Sequence, residues 1–259
     1  MRLLDGKVVL VSGGTQGIGA AVARAAAREG AEAVAVTGRR PEPGEALVTE
    51  LRAAGTHALY IPCDVADVTE VKSSADQTIA EYGRVDCLVN AAGLTTRGTL
   101  LDTTPELFDQ HLAVNLRGPF FLMQAVVANM VSRKAPGTIV NIITTSELGG
   151  QPFLAAYVAS KAGLAGVTRN AAHAHRWDRI RINGLDIGWS DTEGEDEIQR
   201  RFHDADDTWR EQAAATLPMG KLGQPDEIAD FVVFLLSSRS GVVTGSILDW
   251  DQNVAGALD

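Results

Sequence analysis

Short aliphatic and β-branched runs alternate along the chain with longer segments of helical period. Seven runs are predicted to be strands: Val8 to Ser12, Ala33 to Thr37, His57 to Ile61, Cys87 to Asn90, Thr138 to Ile143, Arg181 to Leu185 and Ile247 to Asp249. Helix-length segments such as Gly17 to Glu29 and Thr69 to Tyr82 separate them. Strands that are apolar on both faces and alternate with helices indicate a parallel sheet covered by right-handed crossovers. The pattern predicts an α/β fold with a doubly wound, seven-stranded parallel sheet.

No Pro/Ser-rich linker divides the chain, so one domain over 1–259 is predicted. The longest polar interruption runs from Ser190 to about Arg210. Its carboxylates are Glu193, Glu195, Asp196, Glu197, Asp204, Asp206 and Asp207. A segment of this length inside a compact domain is typical of an active-site lid, and we expect a lid insertion over about 190–217. The alternative is a solvated helix whose early carboxylates complement its N-terminus.

Amino-acid composition and net charge indicate which kinds of molecule the protein binds. The chain has 259 residues, of which 45% are hydrophobic, and a formal net charge of −10. An acidic protein repels nucleic-acid phosphates and anionic lipid, so a small-molecule partner is expected. Cys63 and Cys87 lie in apolar runs without ligand spacing, which predicts neither a disulfide framework nor a metal site. The start does not read as a signal peptide, and no apolar window reaches about 20 residues, so a soluble cytoplasmic protein is expected.

A glycine-rich loop follows the first predicted strand. It reads Ser12-Gly13-Gly14-Thr15-Gln16-Gly17-Ile18-Gly19 and precedes the Ala-rich segment Ala20 to Arg28. Glycines let a backbone approach a pyrophosphate closely, and a helix N-terminus supplies N–H donors and positive dipole. Strand, glycines and helix in this order predict dinucleotide binding.

The Gly-x-x-x-Gly-x-Gly spacing resembles the short-chain dehydrogenase/reductase family. The resemblance covers nearly the whole chain and includes four further matches. They are Asp64-Val65, Asn90-Ala91-Ala92-Gly93, Asn115, and Tyr157-Val158-Ala159-Ser160-Lys161. It implies a single-domain Rossmann fold, with Asp64 and Val65 beside the adenine and Asn90, Ala91 and Gly93 packed against the cofactor. Asp64 as the cap of the following helix is the alternative.

The end of the second predicted strand bears on cofactor choice. A carboxylate there would bind a ribose 2′-hydroxyl, whereas an arginine would pair with a 2′-phosphate. The strand ends Thr37-Gly38-Arg39-Arg40. NADP(H) is therefore preferred, with NAD(H) as the alternative if both arginines are only solvated surface charges.

Tyr157 and Lys161 are four residues apart in a predicted helix, so they share one face. A nearby ammonium favours phenolate, and we expect Lys161 to lower the pKa of Tyr157 from about 10. Tyr157 is the predicted general acid/base. The family resemblance implies that Lys161 and Tyr157 also contact the nicotinamide ribose.

The family uses a serine thirteen residues before the tyrosine to bind the substrate oxygen. That offset falls on Thr144, whose hydroxyl has the same donor and acceptor capacity. Ser146, two residues further on, is the alternative.

The resemblance implies further roles at three positions. Asn115 would kink its helix and hold a water in the proton relay behind Lys161. The sequence Ile187-Gly188-Trp189-Ser190-Asp191-Thr192 lacks the family's usual proline but retains Gly188 and Thr192 as nicotinamide contacts. Relatives are commonly tetramers or dimers, so a homotetramer is expected.

Together these features predict an NAD(P)(H)-dependent oxidoreductase that interconverts a secondary alcohol and a ketone, with no metal. The alternative is a catalytically silent dinucleotide-binding regulator. The sequence leaves the substrate open.

Overall fold

The computed structural model describes residues 2–254 and contains one seven-stranded sheet with the order β3-β2-β1-β4-β5-β6-β7. Every strand pair is parallel. The strands are β1 (Val8–Ser12), β2 (Ala33–Gly38), β3 (His57–Pro62), β4 (Cys87–Asn90), β5 (Gly137–Thr144), β6 (Ile180–Ile187) and β7 (Ile247–Trp250). All seven predicted strands are confirmed. β5 and β6 are each longer than predicted, because strand pairing continues from Gly137↔Ile180 to Thr144↔Ile187.

Helices fill the connections between the strands. Within residues 2–254 they are α1 (Gly17–Arg28), α2 (Pro41–Ala53), α3 (Val68–Tyr82), α4 (Pro105–Leu112), α5 (Gly118–Ser132), α6 (Ala155–His175), α7 (Glu193–Phe202), α8 (Trp209–Ala215) and α9 (Pro225–Leu236). A π-helical turn (Ala113–Arg117) joins α4 to α5, and a short 3₁₀ turn (Thr145–Leu148) follows β5.

The helices form a layer on each face of the sheet. Val9 of β1 packs with the residues of α1, α2 and α9 on one face. Its neighbour Leu10 packs with α3, α5 and α6 on the other. This alternation follows from the two-residue period of a strand, and it confirms the doubly wound Rossmann arrangement.

The order of the strands determines where a ligand can bind. The connection after β3 crosses to the other side of β1, so the carboxyl ends of β1 and β4 face a crevice at the switch point. The loops after β1, β4, β5 and β6 meet at this edge, and they carry the predicted site residues.

Three of the earlier expectations concern the chain as a whole. Residue 1 and residues 255–259, which the predicted domain range includes, lie outside the described residues. From residue 2 to 254, no helix has the length and apolar character needed to cross a bilayer. Cys63 and Cys87 are both buried and not joined in a disulfide.

Candidate active site

The glycine-rich loop is held by backbone contacts too close for side chains. Gly13 has φ +72°, and a Cβ added there would lie 2.5 Å from the backbone nitrogen of Ala92. A Cβ on Gly19 would lie 2.1 Å from the carbonyl oxygen of Gly13. Gly17 begins α1 with φ +50°. The loop therefore presents bare backbone at the switch point, as close approach of a pyrophosphate requires.

The N-terminus of α1 has no capping side chain and no acid in its own first turn. Gln16 precedes the helix without a side-chain capping hydrogen bond. First-turn N–H groups have no intrahelical acceptor, so they can bind phosphate oxygens. Ile18 instead packs against the core. Thr15 lies against the end of β2, with its hydroxyl 2.6 Å from the position of a Cβ on Gly38.

Arg39 and Arg40 follow β2 and are exposed. Arg40 occupies the N-cap position of α2. In the part of the chain that is described, neither side chain forms a salt bridge, so both guanidiniums are available to a 2′-phosphate.

The cap of α3 is Asp67, not Asp64. The Asp67 carboxylate accepts hydrogen bonds from the backbone N–H groups of Thr69 and Glu70. The capping interpretation of Asp64 is therefore wrong. Asp64 lies between β3 and α3, where its carboxylate accepts from the N–H of Ala66 at 3.0 Å. The Val65 carbonyl oxygen would be 2.2 Å from a Cβ on Gly118, so this loop abuts the start of α5.

Asn90 ends β4 inside a buried amide network. Its Nδ2 donates to Oδ1 of Asn141 at 2.8 Å, and Asn141 Nδ2 donates to the Thr168 hydroxyl at 2.8 Å. This network joins β4, β5 and α6. The backbone N–H of Ala91 donates to the Ser12 carbonyl at 2.9 Å, which ties the β4 loop to the glycine-rich loop. Further along this loop, Gly93 lies close to the side chains of Asn115 and Lys161.

Tyr157 and Lys161 share the first turns of α6. Lys161 is 4% exposed, and its Nζ donates to the Ile142 carbonyl of β5 at 2.8 Å. Nζ also lies 5.9 Å from the centre of the Tyr157 ring and 3.9 Å from the position of a Cβ on Gly93. The fold thus brings the predicted pair next to the loop after β4.

The prediction that Lys161 lowers the pKa of Tyr157 is wrong for the protein without a bound ligand. Burial raises the pKa of Tyr157 to about 12, opposed mainly by the hydroxyl of Thr144. Burial also lowers the pKa of Lys161 to about 8. The physical reason is that both groups are withdrawn from water and the ammonium is bonded to the Ile142 carbonyl. Tyr157 consequently carries its proton at neutral pH.

Thr144 and Ser146 lie together at the end of β5. The Thr144 hydroxyl donates to Oγ of Ser146 at 3.3 Å and accepts from the N–H of Ser146 at 3.2 Å. Ser146 Oγ itself donates to Oε1 of Gln151 at 2.9 Å. Of the two hydroxyls, that of Thr144 opposes the rise in the Tyr157 pKa. This difference favours Thr144 as the group that shares the substrate oxygen with Tyr157.

Asn115 lies in the π-helical turn between α4 and α5, which accounts for the expected kink. Its side chain is completely buried and holds the loop after β4, accepting from the N–H of Leu94 at 2.8 Å and donating to the Leu94 carbonyl at 2.9 Å. Nδ2 also reaches Ser160 Oγ at 3.0 Å, and Ser160 donates to the Tyr157 carbonyl at 2.7 Å. Asn115 therefore connects the loop to α6.

His111 belongs to the same cluster and was not predicted. It is 1% exposed, contacts the Thr96 hydroxyl through Nε2 at 3.0 Å, and lies edge-on to the Tyr157 ring at 6.2 Å. Its position four residues before Asn115 on one helical face is the signal that could have identified it.

Gly188 and Thr192 follow β6 and differ in role. A Cβ on Gly188 would lie 2.1 Å from a carboxylate oxygen of Asp251, so packing against the C-terminal segment accounts for this glycine. Thr192 caps α7 by accepting from the N–H of Glu195 at 3.1 Å, and its Cβ lies 3.5 Å from the position of a Cβ on Gly17. The start of α7 thus covers the glycine-rich loop.

The predicted lid region contains α7 and α8. The ring of Trp189 stacks on that of Trp209 at 6.2 Å, and Trp189 Nε1 donates to Glu195 at 2.8 Å. These two tryptophans line a cavity of about 360 Å³ with His203. The ring centre of Phe153 lies 5.5 Å from that of His203. Phe153 is therefore on the same side of the molecule as Trp189 and the cavity.

Asp186 is another group that sequence reasoning missed, although an acidic residue inside an apolar strand was its visible signal. It is 1% exposed, and its Oδ1 has no hydrogen-bond partner among residues 2–254. Burial and the carboxylates of Glu147 and Asp249 raise its pKa to about 7. Asp186 in turn favours the charged form of Lys161.

The fold and glycine-rich cradle together define a dinucleotide-binding α/β protein. A family model described as enoyl-(acyl carrier protein) reductase matches residues 13–252. The chain is 33% identical over 249 residues to L-rhamnose 1-dehydrogenase (NAD(P)(+)) of Sphingomonas sp. (strain SKA58), covering 96% of each chain. It is 33% identical over 248 residues to the 3-oxoacyl-(acyl-carrier-protein) reductase FabG of Thermotoga maritima, covering 96% of this chain and 97% of that one. The protein belongs to the short-chain dehydrogenase/reductase family of oxidoreductases.

A solved structure extends the comparison to three dimensions. An actinorhodin polyketide ketoreductase variant with NADPH superposes with a TM-score of 0.91 at 31% identity, covering 99% of this chain and 100% of that one. The described fold is therefore that of a single-domain Rossmann protein of the short-chain dehydrogenase/reductase type.

Proposed function

We propose that the protein interconverts a secondary alcohol and a ketone with NADP(H), and that Tyr157 transfers the proton. One observation carries the proposal. Tyr157, Lys161 and Thr144 come together at the carboxyl end of β5, next to the loop after β4 that is tied to the glycine-rich cradle. This arrangement supplies a proton donor and a hydroxyl beside a dinucleotide site.

The bare loop over 13–19 and the N-terminus of α1 fit a pyrophosphate. Asp64 and Val65 would border the adenine, the turn with Asn90, Ala91 and Gly93 would pack against the cofactor, and Thr192 would contact the nicotinamide. When bound, the nicotinamide supplies the hydride chemistry. Lys161, already held by the Ile142 carbonyl, would orient the ribose hydroxyls.

The raised pKa of Tyr157 predicts how the rate of each direction of the reaction depends on pH. A phenol that keeps its proton at neutral pH is ready to donate it to a carbonyl oxygen, while Thr144 donates a second hydrogen bond to the same atom. Removal of a proton from an alcohol needs phenolate. We therefore expect alcohol oxidation to accelerate as pH rises, whereas ketone reduction runs at neutral pH.

Replacement of Tyr157 by phenylalanine tests the proposal. Because general acid catalysis contributes about 100- to 10,000-fold, Tyr157→Phe is expected to lower kcat by that factor. The measurement is absorbance of the nicotinamide band with a panel of ketones and alcohols. The matched control is Tyr82→Phe, whose tyrosine ends α3 at the amino edge of the sheet, opposite the candidate site, and should retain full activity.

Two results would contradict the proposal. Turnover by Tyr157→Phe at the rate of the parent protein would remove the tyrosine from the mechanism. Tight NADPH binding by the parent protein without turnover of any substrate would favour a dinucleotide-binding regulator.

The preference for NADP(H) rests on Arg39 and Arg40, which are exposed and not engaged in salt bridges within residues 2–254. The double variant Arg39→Ala/Arg40→Ala is expected to raise the KM for NADPH by about 10- to 100-fold, the scale of a charge-assisted hydrogen bond. The KM for NADH should change much less, because NADH lacks the 2′-phosphate. Equal losses with both cofactors, measured in parallel, would point to NAD(H) as the alternative.

We infer a homotetramer that acts in the cytoplasm. Phe108 on α4 and Phe120 and Val131 on α5 expose 40%, 42% and 39% of their surface. Apolar side chains on the outer face of these helices are typical of helices that pack against a second copy. Light scattering of the purified protein measures the assembly, and a monomer or dimer would correct it.

A further inference from the structure

Arg97 lies beside the proposed reaction site, in the loop after β4. The loop is bonded to the residues that precede Tyr157: the N–H of Gly98 donates to the Phe153 carbonyl at 2.9 Å, and the N–H of Ala155 donates to the Gly98 carbonyl at 3.0 Å. These two bonds hold Arg97 next to the start of α6. Its position is therefore determined by the same element that carries Tyr157.

The guanidinium of Arg97 is only partly satisfied. Nη1 donates to the Thr95 carbonyl at 2.8 Å, and Nε donates to Nε2 of His203 at 3.1 Å. The guanidinium carbon lies 5.2 Å from the centre of the Phe153 ring, which shields one side from water. Within residues 2–254 Nη2 donates no hydrogen bond, and this side chain forms no salt bridge.

The half-buried Arg97 guanidinium forms no salt bridge with any residue from 2 to 254, although the chain has a net charge of −10. Burial lowers the pKa of Arg97, and Glu195 on α7 and Tyr157 on α6 are the groups that oppose this effect. Glu195 is engaged elsewhere, since its Oε1 accepts from Trp189 and Gln199. Among the described residues the N–H groups of Nη2 have no acceptor, so they are available to an acceptor on a bound ligand.

We propose that Arg97 binds the carboxylate of the substrate, which makes this protein an oxidoreductase of hydroxy acids and their oxo acids. A guanidinium shielded from water binds a carboxylate strongly through parallel hydrogen bonds. A single positive charge with Glu195 nearby suits a monoanion better than a phosphate dianion. The proposal rests on the proposed function, because the oxo group must lie at Tyr157.

The reaction leaves the carboxylate unchanged. In the reducing direction NADPH transfers a hydride to the ketone carbon, and Tyr157 donates a proton to the ketone oxygen. The C=O double bond becomes a C–O single bond, and NADPH becomes NADP⁺. Arg97 only holds the acid group, so it is a residue for substrate specificity.

Oxo acids and their methyl esters provide the test. Pyruvate, 3-oxobutanoate and 4-oxopentanoate are each compared with the corresponding methyl ester, so that three distances between carbonyl and carboxylate are sampled. With NADPH, the kcat/KM for at least one acid is expected to exceed that of its ester by about 10- to 100-fold. In Arg97→Met, which keeps an unbranched apolar stem but removes the guanidinium, that ratio should fall to about one.

Arg239→Met is the matched control. Arg239 is exposed on the short turn after α9, outside the candidate site, and its loss should leave the acid-to-ester ratio unchanged. A measurement without turnover accompanies it. The preferred oxo acid should raise the melting temperature of the parent protein more than that of Arg97→Met.

The outcomes separate the two proposals. Turnover of the esters with no preference for any acid, or an acid preference that Arg97→Met retains, overturns the role of Arg97 alone. The absence of NADPH oxidation with every acid and ester, while the panel of other ketones is turned over, overturns the substrate class alone. The absence of turnover across that panel as well overturns the proposed function.

Discussion

The glycine-rich loop and the lid region lie against each other but are held in opposite ways. The loop is determined by backbone contacts so close that a single Cβ would clash, as at Gly13 and Gly19. In contrast, α7 has no buried residue. The lid region is held by half-buried ion pairs, in which Arg210 binds Asp191 and Asp196, and by a small apolar cluster of Trp209, Ala213 and Leu222. Close packing against backbone fixes the glycine-rich loop, whereas ion pairs that water reaches contribute about 1 kcal/mol or less each.

The largest expected effect is in the cradle. Gly19→Ala places a methyl group 2.1 Å from the Gly13 carbonyl oxygen, so the loop must move. We expect the free energy of unfolding to fall by about 1–3 kcal/mol. NADPH affinity should fall by about 100-fold, because the displaced loop no longer matches the pyrophosphate. Thermal unfolding and NADPH fluorescence measure the two effects.

Gly166→Ala is the matched control for that variant. A Cβ on Gly166, an exposed glycine of α6, meets nothing within 4 Å. This variant should be as stable as the parent or more stable, because alanine favours helix. If both alanine variants bind NADPH normally, the cradle is not rigid.

A smaller effect is expected at Asp186, which tests how far charge controls the reacting groups. Asp186→Asn removes a carboxylate that favours protonated Lys161, so the pKa of Lys161 falls further below about 8. If Lys161 acts in its charged form, as the proposed function requires, the alkaline decline of ketone reduction should move to lower pH by about one unit. The pH profile of kcat, measured between about pH 6 and pH 9, reports the shift.

Asp249→Asn is expected to shift the pH profile in the opposite direction. Asp249 raises the pKa of Asp186, so its loss lets Asp186 ionise more fully and supports the charge on Lys161. The alkaline decline should therefore stay in place or move to higher pH. The same downward shift in both variants would show that Asp186 does not act through its charge.

The smallest effect is expected in the lid. Arg210→Met breaks the salt bridges to Asp191 and Asp196, which should cost about 1 kcal/mol or less in stability. The KM for substrate should rise a few-fold, and high KCl should raise the KM of the parent protein in the same direction because salt screens exposed pairs. Arg24→Met, which breaks the exposed pair with Glu50 far from the lid, is the control. A change in KM of the same size in both variants would remove the lid's ion pairs from substrate binding.

Local patterns in the sequence were sufficient to predict the architecture of the fold. The apolar runs predicted all seven strands, and the spacing of Gly13, Gly17 and Gly19 predicted the cradle. One alternative interpretation and one prediction were wrong, both where the outcome depends on three-dimensional surroundings. Asp67 took the capping role because its carboxylate reaches the N–H groups of Thr69 and Glu70. The pKa of Tyr157 rose because burial outweighs its neighbours.

Residues that act through distant partners were not visible in the sequence. Arg97 and His203 are 106 positions apart and meet only because the lid folds over the loop after β4. Asp186 becomes significant only through its burial beside Lys161.

By itself the sequence determined the seven strands and the glycine-rich loop, and it predicted the Tyr157 and Lys161 pair, because periodicity and short motifs act over a few neighbouring residues. Tertiary structure alone decided which side chains lose water, which charges face each other and which donors are left for a ligand. The physical reason is that desolvation and Coulomb energies depend on distances through space, and these distances exist only once the sheet and both helix layers have assembled.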